Sequence, residues 1–156
     1  MKKYQYQNNF SEMHNELYNN KGRIQKANKI IMVLEDYLKD QFNNLNLLDI
    51  GSSTRIITNI LSKKFLNTVG IDIDEKAINY SKCNFENDKL HFFIQDSMNI
   101  NYPDNSFDVV NCTHIYEHVP DSLQLMREIY RVLKPGGVCY FSAGNRLVFM
   151  EAHYKL

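Results

Sequence analysis

Gly51 and Asp72 close two short apolar runs, Leu47-Leu48-Asp49-Ile50-Gly51 and Val69-Gly70-Ile71-Asp72. A glycine lets the backbone come close to a ligand. A carboxylate at the tip of a strand accepts both hydroxyls of a ribose. Together they point to a nucleoside-containing ligand. Between them, Thr54 to Lys64 carries Ile56, Ile57, Ile60 and Leu61 at helical spacing, so the unit reads strand, turn, helix, strand. In an open parallel sheet, ligands bind outside the carboxyl ends of the strands, and this unit places both residues there.

The rest of the chain supplies the elements that must hold them. From Arg23 onward, Ile24, Ala27, Ile31, Leu34 and Leu38 follow the helical period, and Asn43-Asn44 ends it. Strands are expected at 46–50, 67–72, 90–95, 107–112 and 138–142, with helices at 54–64 and 75–84, the latter capped by Asp74. A short helical turn is expected at 114–118, stopped by Pro120. A longer helix follows at 121–133, with Met126, Ile129, Tyr130 and Leu133 on one face. Lys134-Pro135-Gly136-Gly137 reads as a stop and turn. Strands alternating with helices predict an α/β fold: a Rossmann-like, doubly wound parallel sheet of about five strands with helices on both faces. Residues 1–21 lack clean periodicity and read as a loosely structured arm or a short helix, and 22–156 as one domain.

Composition narrows the function classes. The 156 residues carry 18 basic and 18 acidic side chains with no long run of either sign, which predicts no electrostatic grip on nucleic acid or an anionic membrane. No apolar stretch approaches the ~20 residues that span a bilayer. The start lacks the apolar core of a secretory signal, so the cytoplasm is the expected location. Cys83, Cys112 and Cys139 are too few and too dispersed for a disulfide framework or a zinc knuckle, and no metal site is expected. His114-Ile115-Tyr116-Glu117-His118 has the H-x-x-E-H spacing of a zinc-protease class, but Pro120 breaks the helix that such a site needs.

Four stretches taken in order resemble a class I S-adenosylmethionine-dependent methyltransferase of the small-molecule type, similar to quinone-biosynthesis C-methyltransferases. They are Leu48-Asp49-Ile50-Gly51-Ser52-Ser53-Thr54, Gly70-Ile71-Asp72-Ile73-Asp74, Gln95-Asp96-Ser97 with Pro103 to Asp108, and Glu117-His118-Val119 with Arg131 to Gly137. The resemblance implies that Asp49, Gly51 and Ser53 lie against the methionine part of S-adenosylmethionine. It implies that Asp72 binds the ribose hydroxyls, that Ile73 packs on the adenine, and that Asp96, with Ser97 beside it, accepts from the adenine amino group. Asn111 either faces the transferred methyl or caps backbone. His114 and His118 are the candidates for a catalytic base, with surface or supporting roles as the plainer reading. Asp108 reads as structural.

The implied activity is methyl transfer to an unidentified small-molecule acceptor, leaving S-adenosylhomocysteine. The alternative is a non-catalytic or incomplete protein of this fold that binds the cofactor or serves as a subunit. Two departures motivate it. Arg55 stands where the family usually has a glycine, and either pairs with an anionic group or obstructs the site. The family also adds two strands after the fifth, whereas this chain ends at Leu156. The fifth strand is then expected to be covered by the terminal segment, paired with a second copy as a homodimer, or left open by truncation. Tyr18, Lys21 and Arg23 could belong to a lid over the cofactor; a solvated arm is the other reading. A nicotinamide dehydrogenase is disfavoured, since Ser53 and Ile56 fill the second and third glycine positions of G-x-G-x-x-G.

Overall fold

A computed structural model describes residues 20–53 and 55–144. Helix α1 (Asn20–Leu38) runs into a 3-10 turn (Lys39–Asn44) and then strand β1 (Asn46–Ile50). There follow α2 (Ile56–Ser62), β2 (Asn67–Asp72), α3 (Glu75–Phe85), β3 (Leu90–Ile94), β4 (Phe107–Thr113), α4 (Ser122–Val132) and β5 (Leu133–Ser142). The strands form one sheet in the order β3-β2-β1-β4-β5, with every pairing parallel.

The expected doubly wound sheet of five strands is therefore present. Because strand side chains alternate, Leu47 and Val109 pack under α1 and α2 with Ala27, Ile30, Leu34, Ile57 and Leu61. Leu48, Ile50, Val110 and Cys112 face the other way, against Leu125, Ile129 and Val132 of α4. Burial on both faces is what a parallel sheet requires, and it explains the near-continuous apolar runs of β1 and β4. On the α1 and α2 side, Ile78 of α3 packs with Leu90 and Phe92 of β3. Asp74 caps α3 by accepting the Ala77 N–H at 3.1 Å, and Asp121 caps α4 by accepting that of Gln124 at 2.9 Å.

Several expectations need correction. The second helix spans only Ile56–Ser62, because Arg55 adopts φ 60° and the helix cannot start before it. The short turn expected at 114–118 is present, closed by the His118 N–H on the Ile115 carbonyl at 2.9 Å, and no helix extends it. The buried face of α4 is Leu125, Ile129 and Val132, while Met126 and Tyr130 are exposed and Leu133 opens β5. Lys134-Pro135-Gly136-Gly137 does not precede the fifth strand but bulges within it. Phe107 pairs with Leu133 and Val109 with Val138, so residues 134–137 stand opposite Asp108 alone and three extra residues are looped out there, with Gly136 at φ 79°. Among the described residues β5 is an edge strand whose one strand partner is β4. The terminal segment expected as one possible cover lies outside the described residues, as do Tyr18 and most of the expected N-terminal lid.

Candidate active site

The carboxyl ends of β2, β1 and β4 meet at one crevice, because strand order reverses direction about β1. Gly51, Ser53, Ile71, Asp72, Ile73 and Asp74 form one wall; Gln95 and Ser97 form the end beyond β3. His114, Ile115, His118 and Val119, from the turn after β4, close the opposite side.

The glycine turn is fastened to β2. The N–H groups of Gly51 and Ser52 both donate to the Ile71 carbonyl, at 2.8 and 3.0 Å. That bond brings Gly51 beside Asp72. At φ +74°, Gly51 occupies a conformation that other residues adopt only with strain, and a Cβ there would meet Ile115 Cδ1 at 2.0 Å. The glycine is thus required twice, by its backbone and by the isoleucine lying on it.

Asp72 is held by main-chain donors. Its Oδ2 accepts the Ser53 N–H at 2.8 Å and its Oδ1 accepts that of Asp74 at 2.9 Å. Burial pushes its pKa up, and those N–H bonds oppose the rise. Each carboxylate oxygen has two acceptor sites, so these bonds leave acceptor capacity on the carboxylate for ligand hydroxyls.

Asp49 and Asn111 are buried behind the crevice and do not line it. Paired in register across β1 and β4, they bond directly: Asn111 Nδ2 donates to Asp49 Oδ1 at 2.6 Å. The Thr58 hydroxyl of α2 donates to the other oxygen. Burial raises the Asp49 pKa to about 6, against the pull of these two donors and of the Arg23 charge on α1. Asp96 is also buried; its Oδ1 accepts the Met98 N–H at 2.9 Å.

Arg55 points elsewhere. Its guanidinium stacks 3.7 Å over the Tyr80 ring and 5.0 Å from that of Phe85, both on α3, and it is absent from the crevice wall. Of the two alternatives raised by its position in the motif, pairing with an anionic group or obstruction, the obstruction is not built. His114, at φ 55°, has its Nδ1 3.2 Å from Glu117 Oε1, which also accepts the Gly144 N–H at 3.2 Å. Ser53, Arg55 and His114 are non-glycine residues at positive φ in or beside the crevice, a clustering typical of functional sites. Among the described residues no group of three or more His, Cys, Asp and Glu side chains is arranged to hold a metal ion, and no helix is long and apolar enough to cross a membrane.

Of the residues that motif reading singled out, Gly51, Ser53, Asp72, Ile73, Ser97, His114 and His118 line the crevice, whereas Asp49, Asp96 and Asn111 do not. It missed Ile115 and Val119 on the wall, and the partners Thr58, Glu117 and Arg23, the last as a counter-charge to Asp49. Only the i, i+3 spacing of His114 and Glu117 offered a signal.

A family model described as "Methyltransferase domain" matches residues 48–141. This chain belongs to that methyltransferase family. Its fold and motif set are those of the class I, S-adenosylmethionine-dependent type, and S-adenosylmethionine is the cofactor of that type. The methyltransferase chain is 27% identical over 141 residues to a ubiquinone biosynthesis O-methyltransferase of Coxiella burnetii (strain Dugway 5J108-111), covering 88% of this chain and 60% of that relative. It is 29% identical over 137 residues to the protein of the same description from Actinobacillus pleuropneumoniae serotype 7 (strain AP76), covering 78% and 58%. The chain therefore spans about 60% of the length of the curated relatives it matches. Among solved structures, a putative sarcosine dimethylglycine methyltransferase from Galdieria sulphuraria shares the fold with a TM-score of 0.66 at 22% identity, over 74% of this chain and 45% of that one.

The crevice fits the nucleoside half of the cofactor. Asp72 offers open acceptor sites, Ile73 is a buried apolar neighbour, and Gln95 and Ser97 are polar groups at the far end. At the other end Ile115 rests on the glycine turn and narrows the hollow.

Proposed function

We propose that the crevice binds S-adenosylmethionine and that the chain directs its methyl group to a hydroxyl of a small phenolic acceptor. The observation that carries this reading is the Asp72 carboxylate, fixed at the crevice by the backbone N–H groups of Ser53 and Asp74 with acceptor capacity left for ligand hydroxyls. Two ribose hydroxyls need that arrangement. Ile73 packs on the adenine, and Asp96 with Ser97 meets its amino edge. Gly51 and Ser53 carry the methionine portion, with Asp49 and Asn111 behind them. Arg23, close enough to act electrostatically on Asp49, supplies a positive charge for the methionine carboxylate.

Bound, the cofactor brings a methyl already attached to a sulfonium leaving group. The residues of the chain then have mainly to hold and align the two reactants. A hydroxyl acceptor additionally has to lose its proton. His114 fits that task. With its Nδ1–H donated to Glu117, the lone pair sits on Nε2, which takes the acceptor proton. The names of the matched relatives, O-methyltransferases of quinone biosynthesis, support an oxygen acceptor.

The test is transfer of labelled methyl from S-adenosylmethionine to a panel of catechols and phenols. Transfer to a catechol is expected, and His114→Asn is expected to lower kcat by about a hundredfold with little change in cofactor affinity. Cofactor binding without transfer to any hydroxyl acceptor would leave binding and remove the oxygen chemistry.

A further inference from the structure

The segment between β3 and β4 forms no regular element longer than a turn, yet one stripe of α4 grips it at alternate residues. Gln124 Nε2 donates to the Met98 carbonyl at 3.2 Å. Glu128 Oε2 accepts the Ile100 N–H at 2.7 Å. Arg131 donates to the Ile100 carbonyl at 2.8 Å, to the Tyr102 carbonyl at 2.7 Å and to Asp104 Oδ1 at 2.9 Å. The same guanidinium binds both oxygens of Glu128, at 2.9 and 2.8 Å, so its fork is aimed by a buried carboxylate. Residues 124, 128 and 131 are spaced i, i+4, i+7 and share one side of the helix, next to the apolar stripe that anchors α4 on the sheet.

Loops usually satisfy their polar groups with water. This one is bound to the fold by charge-assisted hydrogen bonds, roughly twice as strong as neutral ones. Its head is Gln95-Asp96-Ser97, of which Gln95 and Ser97 line the far end of the crevice and Asp96 is buried between them. Asp96 holds the Met98 N–H through its side chain and the Asn99 N–H through its carbonyl, both at 2.9 Å. Gln124 holds the Met98 carbonyl from the other side. The direction of Asp96 is thus tied to α4 through a single residue.

We infer that Gln124, Glu128 and Arg131 are positioning residues that fix which purine edge Asp96 and Ser97 accept, an inference that rests on the adenosyl reading above. They touch no ligand. Their effect is to order the base-recognising turn during folding, so that binding does not have to.

The test compares S-adenosylhomocysteine with S-inosylhomocysteine, in which a 6-oxo group replaces the 6-amino group, by equilibrium titration. Wild type is expected to prefer the adenine ligand by about tenfold or more, because a buried acceptor facing a carbonyl oxygen is left unpaired. Arg131→Lys keeps the charge but loses the planar fork, and is expected to bring that preference to about twofold. Glu128→Gln, whose amide oxygen still accepts the Ile100 N–H, is expected to retain more of it. Loss of packing alone weakens both ligands together and leaves the ratio unmoved. An unchanged ratio in folded Arg131→Lys overturns the inference. If circular dichroism shows that variant unfolded, Gln124→Ala decides in its place, with a two- to threefold fall expected, on the order of one neutral hydrogen bond, and an unchanged ratio overturning. Failure of wild type to bind either ligand overturns the adenosyl reading itself.

Discussion

At the scale of single residues, Gly51 and Arg55 make opposite demands on the same turn. Gly51→Ala puts a methyl into Ile115 at a positive φ, and is expected to cost about 2 kcal/mol or more in thermal or urea unfolding. Adding Ile115→Ala is expected to recover part of that loss, and additive losses would contradict the contact. Arg55→Gly relieves about 1 kcal/mol of left-handed strain but removes the stack on Tyr80, so near-neutral stability is expected. Affinity for S-adenosylhomocysteine is expected to stay the same, whereas a marked gain would mean that Arg55 does block the crevice. Asp49 carries the pH dependence. Its pKa is about 6, above its ordinary 3.8, so the folded state holds the proton more tightly than the unfolded chain. Stability then falls as pH rises between those values, and the cost is fully present above the upper one. Asp49→Asn cannot ionise, and its stability relative to wild type is expected to improve by about 2 kcal/mol from pH about 4 to about 7. A constant difference would contradict the assignment.

At the scale of elements, periodicity reads well where a helix or strand buries one consistent face. The limits of β1 and β2 were legible for that reason, as was the Asp74 cap. The failures have a common cause: the deciding partner lies far away in sequence. Nothing near Arg55 announces Tyr80 and Phe85 as its target, and nothing in Lys134-Pro135-Gly136-Gly137 announces a strand resuming in register. The β5 bulge is held by Lys134, whose Nζ reaches both oxygens of Asp108 at 2.8 and 2.9 Å, while Asp108 also accepts the Asn46 N–H at 2.9 Å. Burial alone would raise the Asp108 pKa, but these donors hold it below its ordinary value. One carboxylate thereby ties the starts of β1 and β4 to the bulge. Lys134→Met is expected to cost at most about 1 kcal/mol, since the pair is partly exposed, and to speed amide exchange in β5 without touching cofactor affinity. Unaltered exchange would show that the bulge needs no tie.

At the scale of the molecule, the site is a consequence of topology. Placing β1 between β2 and β4 forces connections to leave it in opposite directions, and that divergence opens the crevice. A glycine, an acid and a histidine from three neighbouring strand ends then meet, although they are far apart along the chain. The glycine and the acid were readable because each sits at the end of an apolar run. The pairing of His114 with Glu117 needed the left-handed conformation of His114 after β4, which the expected short helical turn did not announce. The account depends most on Asp72 as the group that holds the adenosyl ribose. Calorimetric titration of S-adenosylhomocysteine into wild type and Asp72→Asn tests it directly. Saturable one-to-one binding is expected in wild type, weakened about a hundredfold in the variant, as the loss of charge-assisted bonds to a buried partner implies. Equal affinity in the two proteins, or no heat in either, would contradict it.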